Sequence, residues 1–84
     1  MNLPVYNIDS PFDGTVEKVY VEDNSYLYEW EKLFLLKAID GRLIDITIGI
    51  SGHITSLKVK EGDKVRKNTL LASLKDDYVI SGSD

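Results

Sequence analysis

Ser51-Gly52-His53-Ile54-Thr55-Ser56-Leu57-Lys58-Val59-Lys60-Glu61-Gly62-Asp63-Lys64-Val65 repeats, 38 residues on, the layout of Asp13-Gly14-Thr15-Val16-Glu17-Lys18-Val19-Tyr20-Val21-Glu22-Asp23-Asn24-Ser25-Tyr26-Leu27. Gly14 falls on Gly52, Val16 on Ile54, Val19 on Leu57, Val21 on Val59 and Leu27 on Val65. The match runs on without a gap through Leu33/Leu71, Leu36/Leu74 and Lys37/Lys75. Few residues are identical, but glycines, turn residues and aliphatics coincide. That is the signature of one supersecondary unit used twice, over about 13–37 and 51–75.

Each half reads the same way. A glycine, expected where backbones approach closely or φ is positive, opens a strand: Gly14 before Thr15–Val21 and Gly52 before His53–Val59. An acidic turn follows, Glu22-Asp23-Asn24 or Glu61-Gly62-Asp63. Asn24 opposite Gly62 fits a left-handed turn position, which Asn tolerates best after Gly. A connector leads to a second strand, Leu33–Ile39 or Leu70–Lys75, and Val, Ile, Leu and Tyr dominate throughout. No stretch carries a capped helical period. Two strands alone are marginal in water. Two intertwined halves bury each other's apolar faces, so the expectation is all-β: a flattened barrel-sandwich of two pseudo-symmetric antiparallel sheets, a single domain over 1–84.

Ile39-Asp40-Gly41-Arg42-Leu43 joins the halves, and Ile44, Ile46 and Ile48 then alternate with Asp45 and Thr47. Asp-Gly between apolar residues predicts a hairpin tip, with a type I′ turn in which both residues take positive φ. Ser81–Asp84 is a small polar run expected to fray.

Composition bounds the function. A chain of 84 residues with no cysteine has no disulfide framework, thiol nucleophile or iron–sulfur site. Its 14 acidic against 10 basic residues give a net charge of −4, which disfavours nucleic acid and anionic membrane surfaces. The longest apolar run, Leu33 to Leu36, is far too short to insert in a membrane, and Met1–Asn7 lacks the basic and apolar regions of a secretory signal. A cytoplasmic protein is expected. His53 is the single histidine and has no partner motif for a metal or a hydrolase, so no catalytic residues and no enzyme activity are expected. Nor does the acidic run around Glu22, Asp23, Glu29 and Glu31 have the oxygen-ligand spacing of a calcium loop.

Several stretches resemble biotinyl and lipoyl carrier domains: Ser10-Pro11-Phe12-Asp13-Gly14-Thr15-Val16, Ile50-Ser51-Gly52-His53-Ile54, Val59-Lys60-Glu61-Gly62-Asp63-Lys64-Val65 and Asn68-Thr69-Leu70-Leu71. The resemblance covers residues 10–75, and the second-half motif is shared with membrane-fusion adaptor proteins. It implies the barrel-sandwich fold and one lysine, at the tip of the central hairpin, to which biotin or lipoate is joined. Counted forward from Leu27 that position falls on Asp40. Counted backward from Gly52 it falls on Gly41, a one-residue insertion apart. Neither is an amine, so no cofactor is expected. Lys37 is the alternative acceptor, although it aligns with the motif's glutamate and, like Lys75, reads as an outward strand residue. Trp30 stands where the family often has Gly, and Gly49 where it often has Pro.

Tyr26, Tyr28 and Trp30 occupy connector positions whose second-half counterparts are Lys64, Arg66 and Asn68. The polar counterparts mark an exposed surface, which makes the aromatics a candidate contact for a protein partner or a homodimer. The other reading packs them over the sandwich edge to extend a small core.

Overall fold

The computed structural model describes residues 4–76; the expected frayed run Ser81–Asp84 lies outside them. The described chain forms eight strands and no helix: β1 Val5–Asp9, β2 Gly14–Val19, β3 Tyr26–Leu27, β4 Lys32–Ala38, β5 Leu43–Thr47, β6 Gly52–Leu57, β7 Lys64–Val65 and β8 Leu70–Asp76. They build two four-stranded antiparallel sheets, in the orders β1-β8-β6-β3 and β5-β4-β2-β7. The expected all-β sandwich is present.

The repeat is more complete than its sequence suggests. β5 to β8 follow β1 to β4 at the same 38-residue offset, so each half contributes four strands. β1 has no counterpart in the expected strands; it is the mate of β5 and pairs with β8 as β5 pairs with β4. The irregularities repeat too. A bulge between Val16 and Lys18 has its twin between Ile54 and Ser56. Three strand ends fall short of expectation: β4 stops at Ala38, one residue before Ile39, and the other two stop short by two residues each. β2 stops at Val19 where Val21 is expected, and β6 at Leu57 where Val59 is expected. The Tyr20 and Lys58 N–H groups make the closing bonds, to the Leu33 and Leu71 carbonyls at 2.9 Å, and the chain then leaves the sheet.

Glycine is required at two equivalent points. A Cβ on Gly14 would collide with the carbonyl oxygen of Lys37, and one on Gly52 with that of Lys75. These contacts clamp β2 to β4 and β6 to β8.

One core lies between the sheets. Phe34, Leu27, Leu33, Leu36, Ile54, Leu71, Leu74 and Val16 are its largest fully buried apolar side chains, drawn from both halves. Ser10 is the one buried polar residue among those described, and its Oγ donates to the Phe12 carbonyl at 2.6 Å. Satisfying a buried hydroxyl in this way removes most of its desolvation cost.

Replacing Gly52 with Ala should destabilise the fold by about 1–3 kcal/mol or more, the usual cost of overpacking against backbone. Gly41→Ala should cost less, about 1–2 kcal/mol for the left-handed backbone alone, since nothing lies within 4 Å of a Cβ there. Urea unfolding of the two variants measures the difference.

Candidate functional site

Two surface features sit at opposite ends of the sandwich. The first is the β4–β5 hairpin. Its geometry differs from the expected two-residue type I′ turn. The Gly41 N–H donates to the Ala38 carbonyl at 2.9 Å, and the Ala38 N–H to the Arg42 carbonyl at 2.8 Å. Among the tip residues only Gly41 has positive φ, at 93°. This is a three-residue loop, Ile39-Asp40-Gly41, in which a type I turn is followed by a left-handed glycine.

Arg42 selects this form. Its backbone N–H donates to Asp40 Oδ1 at 3.2 Å and its Nε to Oδ2 at 2.9 Å. The backbone hydrogen bond from Arg42, with its guanidinium adding to it, holds the Asp40 carboxyl below its ordinary value of 3.8. Asp40 is therefore a carboxylate throughout the neutral range. Ile39, 80% exposed, projects beside it.

Lys37 lies two residues inside β4, opposite Thr15 of β2 and Leu43 of β5. It is exposed, on the outer face of a four-strand row, Leu43–Lys37–Thr15–Lys64, and short of the tip. A cleft of about 670 Å³ runs beside it, lined by Thr15, Glu17, Lys64 and Arg66.

The second feature is aromatic. Tyr28 is 64% and Trp30 67% exposed, and Tyr26 is also at the surface. None of the three belongs to the buried core. The rings of Tyr26 and Tyr28 meet edge-on at 4.7 Å, and that of His53 stands 5.2 Å from Tyr26. His53 thus belongs to this cluster, which its isolation in the sequence does not reveal. Its pairing with Tyr26 across β3 and β6 explains the contact.

Trp30 adopts φ of 66°, in the turn closed by the Glu31 N–H on the Tyr28 carbonyl. Its repeat mate Asn68 has φ of 73° in the matching turn. Left-handed backbone suits Asn and is costly for a bulky side chain, by about 1–2 kcal/mol. The indole lies over Gly49, whose Cβ, if present, would stand 2.6 Å from it. The two departures at Trp30 and Gly49 are therefore one substitution: the missing side chain at 49 makes room for the ring at 30.

Among the described residues no group of three His, Cys, Asp or Glu side chains could hold a metal ion. No helix there is long and apolar enough to cross a membrane.

The fold has solved counterparts. A single-chain, multi-domain long-chain acyl-CoA carboxylase matches with a TM-score of 0.79 at 15% identity, over 86% of this chain and 7% of that one. The urea carboxylase of Kluyveromyces lactis matches at 0.74 and 17%, over 84% of this chain and 6% of that one. The lipoyl domain of the 2-oxoglutarate dehydrogenase complex from Azotobacter vinelandii matches at 0.74 and 24%, over 83% of this chain and 95% of that domain. The chain thus spans a small fraction of the two carboxylases and nearly all of the lipoyl domain. No family model and no curated protein matches the sequence. The structural likeness establishes a biotinyl/lipoyl carrier-like fold, as the motifs anticipate.

Two outcomes follow from this geometry. Trp30→Asn should leave the urea midpoint unchanged or raise stability by about 1 kcal/mol, because backbone strain is relieved as a mostly exposed ring is lost; Phe34→Ala should lower it by about 3–5 kcal/mol. In an NMR titration the Asp40 carboxyl should titrate below 3.8, and Arg42→Ala should bring it back up. Because the folded value is depressed, the Asp40–Arg42 contact contributes fully above 3.8 and fades as the pH falls through the lowered value.

Proposed function

We propose that this chain is a non-enzymatic, cytoplasmic biotinyl/lipoyl-like domain that carries no cofactor and works as a protein-interaction or scaffold module. The observation behind this is the composition of the hairpin tip: Ile39, Asp40 and Gly41 occupy the loop, and none bears an amine. Biotin and lipoate are joined through their own carboxyl, activated as an electrophile, to a nucleophilic amine. A carboxylate locked to Arg42 offers no nitrogen nucleophile and repels a second carboxyl group. The residues present at the tip do not fit attachment of either group.

Lys37 as acceptor is the second reading, that of a carrier in a carboxylase or acyltransferase complex. The carboxylases and the lipoyl domain with which the fold is shared favour it. The register stands against it: Lys37 is hydrogen-bonded strand, paired with Thr15 and Leu43, not loop. Kinship with membrane-fusion adaptors, the third reading, rests on the half-motif alone. The 1–84 span is taken as one domain.

Co-expression with a biotin ligase or a lipoyl ligase tests the proposal. The unaltered chain should gain no mass with either enzyme, while Asp40→Lys should gain a biotinyl or lipoyl group at the new amine with at least one. Acylation of the unaltered chain, at Lys37 or any other lysine, overturns the proposal.

A further inference from the structure

β3 and β7 are the terminal strands of their sheets, on the side of the sandwich away from β1 and β5. The chain reaches β3 from β2 and β7 from β6, so residues 20–25 and 58–63 cross between the sheets there. They pass one another at the middle of this side. The Leu57 N–H donates to Asp23 Oδ1 at 2.7 Å, and the Val19 N–H to Glu61 Oε2 at 3.4 Å. From that crossing the two straps run to opposite ends. β3 pairs at Gly52 and His53, near Lys75 and Asp76 of β8. β7 pairs at Gly14 and Thr15, near Lys37 and Ala38 beside the hairpin tip.

The straps share a backbone and differ in charge. Tyr26 and Tyr28 take the positions of Lys64 and Arg66. Glu22 and Glu29 take those of Lys60 and Lys67, and Tyr20 that of Lys58. All of these are exposed. At these five pairs an aromatic or acidic group in the first strap answers a cation in the second; the second strap also carries Glu61 and Asp63, yet with five cations it stays net basic while the first, with Glu22, Asp23, Glu29 and Glu31, is acidic. Lys60 already bridges Asp63 at 3.2 Å, which leaves Lys58, Lys64, Arg66 and Lys67 as the cationic surface. At the aromatic end a cleft of about 470 Å³ is lined by Tyr20, Glu22, Tyr26 and Glu31, and by Lys32, whose charge is met by Asp45 at 3.4 Å; its ring faces and carboxylates suit a lysine or arginine side chain.

We infer that the partner of this surface is a second copy of the chain, docked antiparallel along this side, so that each aromatic–acidic strap meets the other copy's basic strap. The charge complementarity within one chain supplies the argument. Because the pseudo-two-fold axis relating the straps runs through the same side, a true two-fold beside it satisfies both contacts at once and closes the assembly as a dimer. The net charge of −4 opposes association at long range, so the attraction is local and the dimer weakens as salt screens it. This inference rests on the reading of the chain as an interaction module.

Sedimentation equilibrium of the full chain over a micromolar range tests it, with two variants. Glu22→Lys with Tyr28→Lys and Glu29→Lys makes both straps basic; Lys64→Glu with Arg66→Glu makes both acidic. The unaltered chain should be dimeric, and each variant alone should self-associate about tenfold more weakly or worse. An equimolar mixture of the two variants should recover a dimer, since every strap again meets its complement, which also shows that both variants fold. A monomeric unaltered chain, variants that dimerise as well as it does, or a mixture that stays monomeric overturns the inference. Acylation in the ligase experiment would remove the module reading and leave the dimer result untouched, whereas a monomer that stays unacylated removes only the dimer.

Discussion

The close approach of Gly14 to the Lys37 carbonyl, and of Gly52 to that of Lys75, is the constraint on which the rest depends. Each contact sets the register of a long strand pair, β2 on β4 or β6 on β8. With the register set, the bulges at Val16/Lys18 and Ile54/Ser56 turn the chain off the sheet at matching points. The turns that follow need left-handed residues, and Asn24 and Gly62 supply them with φ of 68° and 94°. The Asn24 and Gly62 N–H groups then reach the Ile54 and Val16 carbonyls of the opposite half at 2.7 and 2.8 Å. Neither half can complete its own hydrogen bonding alone, and the small core is shared in the same way. A domain built so has its stability mainly in the repeat, with only local turn contributions from the hairpin tip.

That division explains how the tip can lack an amine while the fold persists. Ile39, Asp40 and Arg42 are exposed and lie outside the core, so their identities are free of the constraint that holds the strands. The same freedom applies to the straps. Their backbones are tied to the sandwich by equivalent bonds, such as Trp30 N–H to Ile48 carbonyl and Asn68 N–H to Ser10 carbonyl at 2.9 and 2.7 Å, and their side chains have diverged to opposite character. Trp30 marks the limit of that freedom. It occupies a backbone position suited to Asn or Gly, and the accommodation is local, at Gly49.

Most of the architecture was legible in the sequence because the constraint falls on legible residues. Gly14, Gly52, Gly62 and the aliphatics at 38-residue spacing are matched in the text as in space. β1 escaped because its mate β5 follows the hairpin. Val5-Tyr6-Asn7-Ile8-Asp9 matches Leu43-Ile44-Asp45-Ile46-Thr47 only if the repeat is carried back before Asp13. The turn type escaped because Asp-Gly suits both a two-residue and a three-residue loop, and the choice lies with the Arg42 contacts to Asp40. At the aromatic strap the polar mates Lys64, Arg66 and Asn68 argued for exposure and the small core argued for burial, so the sequence left both readings open. The left-handed φ of Trp30 was signalled only by Asn68, since tryptophan itself argues against that backbone. The place of His53 in the ring cluster depends on pairing across strands and has no local signal.

The central claim is that a carrier fold is kept here for its shape and surface, with no arm attached. The intact mass of the protein purified from its own host measures this most directly. The account predicts the mass of the bare polypeptide, with no amide-linked acyl group on any lysine. A species heavier by a biotinyl or lipoyl group would contradict it.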